Sequence, residues 1–209
     1  MIVLGPGQPL AGPDLEAVAE AARQGKPVAF PTDTVYGIGC AGMSQEGVRR
    51  ICQLKGRDAL KPLPILIDSK EAVRRWVEWT PAAEALASRY WPGPLTLVLK
   101  PTKEGRLLTS QEFPTLAIRV PAHPVALALL RACGVPLAVT SANLSGRPAL
   151  AWGAEVARAL GGQVEYVVDG GRVSGTESTV ADVSGGPIRV LREGALSLPQ
   201  LVAAAAGAS

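Results

Sequence analysis

Short apolar runs alternate with helical patterns along most of this 209-residue chain, and this alternation most restricts its possible folds. The run at 63–67 is continuously apolar, as in strands that are buried on both faces of a sheet. Residues 14–24 instead place apolar side chains at helical spacing and stop at Gly25. Strands and helices interleave first, and strands dominate later. The pattern predicts a single α/β domain with an open mixed sheet that is flanked by helices.

The individual elements follow from these periodicities and from capping residues. Ser44 is a good N-cap, Asp68 with Glu71 resembles a capping box, and Pro81 suits the first position of a helix. The segment 31–42 is rich in glycine and threonine, so we predict a loop. We predict strands at 27–30, 63–67, 95–100, 116–120, 137–140, 165–168, 178–183 and 188–191, and helices at 14–24, 45–54, 68–79, 81–90, 124–132, 154–160 and 199–205. No repeat or linker divides the chain, and we expect one domain over 1–209.

Histidine, cysteine and charge exclude several classes of site. His123 is the only histidine, so metal sites with two histidine ligands are excluded, and we interpret this residue as the entry to a predicted helix. The three cysteines form no CxxC pair, which argues against a disulfide framework or a zinc site and favours a reducing, cytoplasmic location. No signal peptide is visible, and no apolar run approaches the roughly 20 residues of a membrane helix. The net charge of +3 suits a small anionic substrate better than a nucleic acid.

Four polar segments adjoin predicted strands, at 31–37, 55–57, 115–119 and 140–146. In an open α/β sheet, ligands bind in the crevice beyond the strand ends, so we expect these segments to meet there. Their hydroxyls, amide and cations would hold a polyanion together with a small polar molecule. Simpler explanations remain open for each segment alone: the threonines at 32 and 34 could only form a turn, and 55–57 could be a solvated helix end.

Two nucleotide-binding motifs can be set aside. Residues 37–42 satisfy G-x-G-x-x-G, but a dinucleotide fingerprint needs its first glycine at the end of a strand and a helix that opens at once. The preceding predicted strand ends at Phe30, well before Gly37. The chain has no G-x-x-x-x-G-K-[ST], so any ATP site is not a P-loop.

At these segments the sequence resembles the YrdC family. The motif P-T-[DE]-T-x-Y-G is present at 31–37, K-x-R at 55–57 with P-L at 62–63, and W-P-G-P-L-T at 91–96. R-x-P with a following H-P occurs at 119–124, S-A-N-x-S-G at 141–146, S-T-V-x-D at 178–182 and L-R-x-G at 191–194. The motifs stand in family order and cover about residues 12–196. The chain stops soon after the last of them and looks like the single-domain form of the family.

The resemblance implies a twisted open sheet with a basic central cavity, and an enzyme that is an ATP-dependent nucleotidyltransferase. It would join L-threonine, bicarbonate and ATP into L-threonylcarbamoyl-AMP, with magnesium accompanying the ATP. A separate threonylcarbamoyl transferase would then modify tRNA. The implied catalytic residues are Lys55 and Arg57. The implied L-threonine site is Thr32, Thr34, Arg119 and Thr179, and the implied ATP site is Lys55, Arg57, Ser141, Asn143, Ser178 and Arg192.

Two departures and two rival functions accompany the resemblance. Asp58 stands where the family commonly has proline after K-x-R, and Leu66 where some members carry histidine, which puts details of substrate contact in doubt. An RNA-binding module would need a broad basic face with interleaved aromatic residues, but only 4% of the residues are aromatic. We therefore expect only weak tRNA binding. A related paralog with a different carbamoyl or nucleotidyl transfer would be expected to have degraded K-x-R or S-x-N motifs, and both are intact.

Overall fold

One mixed sheet of ten strands dominates the part of the chain that the computed structural model describes, namely residues 2–4, 10–56, 62–109, 113–160 and 162–207. In chain order the strands are β1 (Ile2–Leu4), β2 (Val28–Pro31), β3 (Tyr36–Ala41), β4 (Ile65–Leu66), β5 (Leu95–Leu99), β6 (Leu116–Arg119), β7 (Leu137–Ser141), β8 (Tyr166–Val168), β9 (Thr179–Asp182) and β10 (Arg189–Arg192). Their order across the sheet is β1-β8-β2-β3-β7-β4-β6-β5-β9-β10. β4 pairs parallel with β6 and antiparallel with β7, so the predicted mixed α/β sheet is confirmed.

All but one of the helices begin and end close to the predicted positions. They are α1 (Gly12–Arg23), α2 (Gln45–Lys55), α3 (Lys70–Val73), α4 (Pro81–Tyr90), α5 (Pro124–Cys133), α6 (Gly153–Leu160) and α7 (Leu198–Ala206). Ser44 caps α2 by accepting a hydrogen bond from the Gly47 amide, and Gly134 ends α5 with a left-handed φ of 64°. His123 is the N-cap of α5, and its Nδ1 accepts from the Val125 amide at 3.2 Å, which confirms its predicted place at a helix entry. In the described ranges, no helix has the length and apolarity to cross a membrane.

The predicted loop at 31–42 is wrong over half its length, because Tyr36–Ala41 forms β3. This strand pairs antiparallel with β2 and with β7, and all of its residues are buried. Gly37 and Gly39 have no side chains, so the sequence here lacks the apolar alternation that would indicate a strand. The structure nevertheless requires glycine at both positions. A Cβ atom at either position would lie 2.7 Å from a methyl group of Val139. The G-x-G-x-x-G match therefore begins inside a strand, where it cannot form a dinucleotide-binding turn.

Two other elements are shorter than predicted. Only Ile65–Leu66 of the apolar run at 63–67 forms a strand, and prolines at 62 and 64, which lack the N–H that a ladder needs, limit it on one side. Single backbone hydrogen bonds of Pro64 to Val139 and of Ile67 to Arg119 extend the contact with the neighbouring strands. The helix predicted at 68–79 is helical only over Lys70–Val73, and its cap is Ser69 rather than Asp68. Turns follow it, and Trp76 and Val77 still enter the core. The strand β1 and a 3₁₀ turn at Gly105–Leu108 were not predicted.

Helices cover the two faces of the sheet unequally, and this leaves room for a site. Buried side chains of α2, α4, α6 and α7 join one large core cluster together with Tyr36 and Ile38 of β3. On the other face, α1 and α5 pack against each other and cover Phe30, Leu137 and Val139 in a second, smaller cluster. The cavity described next is lined by residues of neighbouring strands in the sheet order, from β3 and β7 through β4 to β10.

Candidate functional site

A cavity of about 360 Å³ lies on one face of the sheet and is lined by alternate residues of several strands. Thr96 and Val98 of β5 line it, as do Ala117 and Arg119 of β6. Since successive strand residues point to opposite faces, such pairs share one face. The site thus lies over the sheet, which corrects the expectation of a crevice beyond the strand ends. The cavity can form there because α1 and α5 cover only the neighbouring part of this face of the sheet.

The threonines after β2 form one wall of the cavity. The Thr32 hydroxyl donates to the Val35 carbonyl at 2.7 Å and accepts from the amides of Thr34 and Val35, so it closes a tight turn. The Thr34 hydroxyl lies 2.9 Å from that of Thr32. Both threonines are buried and line the cavity. The local turn that the sequence also allowed is therefore present, and it places these hydroxyls in the cavity wall.

Arg119 is held against this turn at the end of β6. Its Nε donates to the carbonyl of Gly93 at 2.9 Å, and Nη1 donates to the Thr34 hydroxyl at 2.9 Å. Its Nη2 donates to Oδ1 of Asp33 at 2.6 Å. Burial lowers the pKa of Arg119, the Asp33 carboxylate opposes that effect, and nearby Arg192 lowers it further. Because the ordinary arginine pKa is so high, the group remains a buried cation that faces the cavity.

Lys55 lies at the last residue of α2 and reaches the loop after β7. Its Nζ donates to the Ser141 carbonyl, to Oγ of Ser141 at 3.3 Å and to Oδ1 of Asn143 at 3.0 Å. The Lys55 side chain is buried, and Asn143 is fixed from its other end by donating to the Arg147 carbonyl at 2.5 Å. Of Lys55, Ser141 and Asn143, only Ser141 is among the residues that line the cavity in the described ranges. The structure therefore brings the K-x-R and S-A-N-x-S-G motifs together through Lys55.

The K-x-R motif continues beyond the end of α2. Arg57 and Asp58 lie outside the described residues, and their predicted roles stay predictions. Gly56 ends α2 with a left-handed φ of 60°, so the backbone turns sharply out of the helix just before Arg57. Leu66, the other departure from the family pattern, lies in β4 and lines the cavity with an apolar side chain.

Arg192 and Ser178 form another part of the cavity wall. The Nη2 of Arg192 donates to the carbonyl and hydroxyl of Ser178 at 3.0 and 3.2 Å, and that hydroxyl lies 2.9 Å from the Thr96 hydroxyl. A bulge between Val190 and Arg192 interrupts the pairing of β10 with β9. Consecutive strand residues normally face opposite ways, but Leu191 and Arg192 both line the cavity. The bulge therefore adds an apolar surface beside the guanidinium.

Thr179 has a different environment from the other predicted residues. It is fully buried, and it is not among the residues that line the cavity in the described ranges. Its hydroxyl donates to the Leu196 carbonyl at 2.6 Å and accepts from the amides of Gly194 and Leu196. These bonds use the one donor and both lone pairs of the hydroxyl. Thr179 therefore anchors the segment before α7 and does not face the cavity.

Sequence reasoning missed several polar residues at the cavity. Asp33, which pairs with Arg119, lies within the motif P-T-[DE]-T-x-Y-G, but the motif alone did not indicate a role for it. Glu177, directly before the S-T-V-x-D motif, lines the cavity, and its Oε2 lies 2.9 Å from Nη1 of Arg192. Thr96 and Thr115 also line the cavity. The alternation of strand residues could have indicated Thr115, because residues 115 and 119 share a face and Arg119 was a predicted site residue.

The fold and this cavity define an α/β protein whose sheet carries a cavity lined by two arginines and several hydroxyls. The family model Sua5/YciO/YrdC, described as telomere recombination, matches residues 20–194. The chain belongs to this family.

Two curated relatives and one solved structure give the degree of similarity. The chain is 42% identical over 181 residues to the threonylcarbamoyl-AMP synthase of Pyrococcus abyssi, which covers 86% of this chain and 53% of the relative. It is 38% identical over 195 residues to that of Bacillus subtilis, with 91% and 56% covered. The crystal structure of P. abyssi Sua5 complexed with L-threonine matches with a TM-score of 0.91 and 39% identity, over 98% of this chain and 61% of that one. The chain thus spans about half the length of these curated relatives.

Proposed function

We propose that this chain is an L-threonylcarbamoyl-AMP synthase that binds L-threonine, bicarbonate and ATP in the sheet cavity. The observation that carries the proposal is a single cavity whose wall contains Arg119 with Thr34 and Arg192 with Ser178. Guanidinium groups and hydroxyls are the side chains that bind carboxylates and phosphates. Two relatives of the same family with 42% and 38% identity carry this activity in their names, and a similar structure holds L-threonine.

The reaction explains why cations and hydroxyls would be enough. The threonine amine condenses with bicarbonate to give a carbamate and water. A carbamate oxygen then attacks the α-phosphorus of ATP, and the bond to the bridging oxygen of pyrophosphate breaks. All the reactants carry negative groups, so the enzyme must align them and reduce their repulsion. No covalent nucleophile and no histidine base is required, which fits a chain with one histidine that caps a helix.

We assign the described residues by their contacts and Arg57 by its motif. Arg119 and Thr34 bind the carboxylate end of threonine, and Thr32 holds the turn that carries Thr34. Lys55 and Arg57 act on the phosphates and the carbamate. The remaining nucleotide contacts come from Ser141, Asn143, Ser178 and Arg192. Magnesium enters with ATP as part of the substrate. The product passes to a threonylcarbamoyl transferase in the cytoplasm, and direct tRNA binding is weak and strongly dependent on salt.

Pyrophosphate release tests the proposal directly. The full rate should require ATP, L-threonine and bicarbonate together, and threonylcarbamoyl-AMP should be detected by mass spectrometry. ATP should raise the melting temperature of the protein, because a ligand of the native state stabilises it, and NAD should not. Pyrophosphate release that does not depend on threonine would favour a paralog with a different transfer reaction. Tight, sequence-selective tRNA binding without turnover would favour an RNA-binding module.

A further inference from the structure

Asp33 is a partly buried carboxylate that no step of the reaction above uses. Its Oδ1 accepts from Nη2 of Arg119 at 2.6 Å and from the backbone amide of Ala122 at 2.9 Å. Only 16% of its side chain is exposed, and only 6% of that of Arg119. The carboxylate of Asp33 therefore bonds to the arginine that we assign to the substrate carboxylate but does not itself line the cavity in the described ranges. The backbone amide of Ala122, in the loop after β6, fixes its position.

Arg119 has more N–H donors than its hydrogen bonds within the described chain use. A guanidinium has five N–H groups in one plane. Three of them are used, by the Gly93 carbonyl, the Thr34 hydroxyl and Asp33. Within the described chain, one N–H on each terminal nitrogen is left, and Arg119 lines the cavity. A carboxylate can accept from two such donors at once, provided that the plane of the guanidinium is fixed.

The turn that carries Asp33 is itself held in place. The Thr34 carbonyl accepts from the Gly175 amide at 2.8 Å and from the Ser174 hydroxyl at 3.0 Å. The segment before β9 thus fixes the turn from one side, while Ala122 holds the Asp33 carboxylate from the other. Neither Arg119 nor Asp33 can rotate without breaking several hydrogen bonds.

We propose that Asp33 is a positioning residue, which orients the Arg119 guanidinium so that its remaining donors bind the carboxylate of the amino-acid substrate. The inference rests on the proposed function and deepens it. Asp33 cannot increase long-range attraction for an anion, because its negative charge opposes the positive charges of Arg119 and Arg192 in the cavity. Its contribution is a fixed orientation, which distinguishes a carboxylate from a neutral group of similar size.

The experiment compares L-threonine with L-threoninol, which lacks the carboxylate, by calorimetric binding. The wild type should prefer threonine by about 10- to 100-fold, the value of one strong charge-assisted contact. Asp33→Asn keeps the shape and one acceptor oxygen but loses the charge, and the preference should fall about 10-fold. Asp182→Asn is the matched control, because Asp182 also pairs with an arginine, Arg189, but does not line the cavity. It should leave the preference unchanged.

The outcomes distinguish a positioning role of Asp33 from a purely stabilising one. An Asp33→Asn protein that melts earlier but keeps the full preference for threonine would show that Asp33 only stabilises the fold. If that variant does not fold, Asp33→Glu replaces it: the charge is kept but displaced, and an unchanged preference again overturns the proposal. A wild type that binds both ligands equally refutes the assignment of Arg119 and this inference with it. A wild type that binds neither ligand refutes the proposed function instead.

Discussion

The ammonium group of Lys55 lies 3.0 Å from the side-chain oxygen of Asn143, although 88 residues separate them in sequence. Lys55 ends α2, and Asn143 follows β7, so the contact joins two elements that come from different regions of the chain. The same ammonium also bonds to the Ser141 hydroxyl, whose residue lines the cavity. The ammonium at the end of this helix is thus buried and bonded to a cavity-lining residue rather than solvated, which contradicts the solvated helix end for Lys55.

Lys55→Ala is expected to lower threonine-dependent pyrophosphate release by about 10- to 100-fold, the effect of losing one charge-assisted hydrogen bond of about 1.5–3 kcal/mol. Steady-state kinetics measures the effect, and thermal melting shows whether the variant folds. Lys103→Ala removes an exposed lysine outside the cavity and should keep the wild-type rate. A folded Lys55→Ala enzyme with a normal rate would refute the assigned role.

Arg57→Ala is expected to cause a loss of similar size, about 10- to 100-fold, since a guanidinium that contacts phosphate contributes a charge-assisted bond. The prediction rests on the motif and on Gly56, which turns the chain out of α2 just before this residue. The measurement is the same pyrophosphate assay, with Arg106→Ala as an exposed control. Normal activity in Arg57→Ala would place this arginine in solvent.

The sequence predicted most elements because their caps and apolar runs act locally. It failed at β3, where Gly37 and Gly39 are needed for a close approach to Val139 and leave no apolar pattern to read. Site residues were harder to predict, because a motif does not say which of its neighbouring side chains faces the cavity. Ser178 and Thr179 were both assigned to ligands, yet neighbouring strand residues point to opposite faces. Only Ser178 lines the cavity.

Tyr36→Phe is expected to lower the free energy of unfolding by about 1–3 kcal/mol, the cost of leaving buried polar groups without partners. The Tyr36 hydroxyl donates to the Gly171 carbonyl at 2.7 Å and accepts from the Gly170 amide at 3.1 Å. Burial, together with the nearby Asp169 carboxylate, raises the pKa of Tyr36, so the hydroxyl keeps its proton. Urea denaturation gives the value.

Tyr90→Phe is the control for that measurement. The Tyr90 hydroxyl donates to the Gln200 carbonyl in an exposed position, so its loss should cost less than about 0.5 kcal/mol. Equal losses in the two variants would mean that the Tyr36 hydrogen bonds do not hold the segment after β8.

Glu84→Gln is expected to reduce stability at pH 7 but not near pH 2. Hydrogen bonds from Lys70, then Trp79 and Ser88, lower the pKa of Glu84 from 4.5 to about 2. Because the folded-state pKa lies below the unfolded value, the ionised carboxylate stabilises the fold above pH 4.5, and this contribution disappears as the pH falls toward 2.

The group is 41% exposed, so solvent screening limits the effect to less than about 1 kcal/mol. Urea denaturation of both proteins at several pH values measures it. Glu71→Gln, which removes an exposed carboxylate of α3, is the control for the loss of one negative charge. A Glu84→Gln difference that stays constant down to pH 2 would assign the effect to packing rather than to charge.

Glu177→Gln is expected to lower the KM for ATP. In the cavity, Glu177 lies 2.9 Å from Arg192, so its carboxylate occupies a donor that a phosphate would need, and it also repels that phosphate. Arg192 keeps its bonds to Ser178 in the variant, so its position should not change. Both side chains are partly exposed, and such pairs contribute about 0.2–1 kcal/mol, so the KM should fall by no more than about 5-fold.

Glu193→Gln is the matched control, because it removes the same charge one residue beyond Arg192 at an exposed position. If only the net charge of the protein matters, the two variants will show the same small change in KM. If the KM rises in Glu177→Gln alone, the carboxylate holds Arg192 in its binding position. Competition with phosphate would then be excluded, because removing a competitor cannot weaken binding of the ligand.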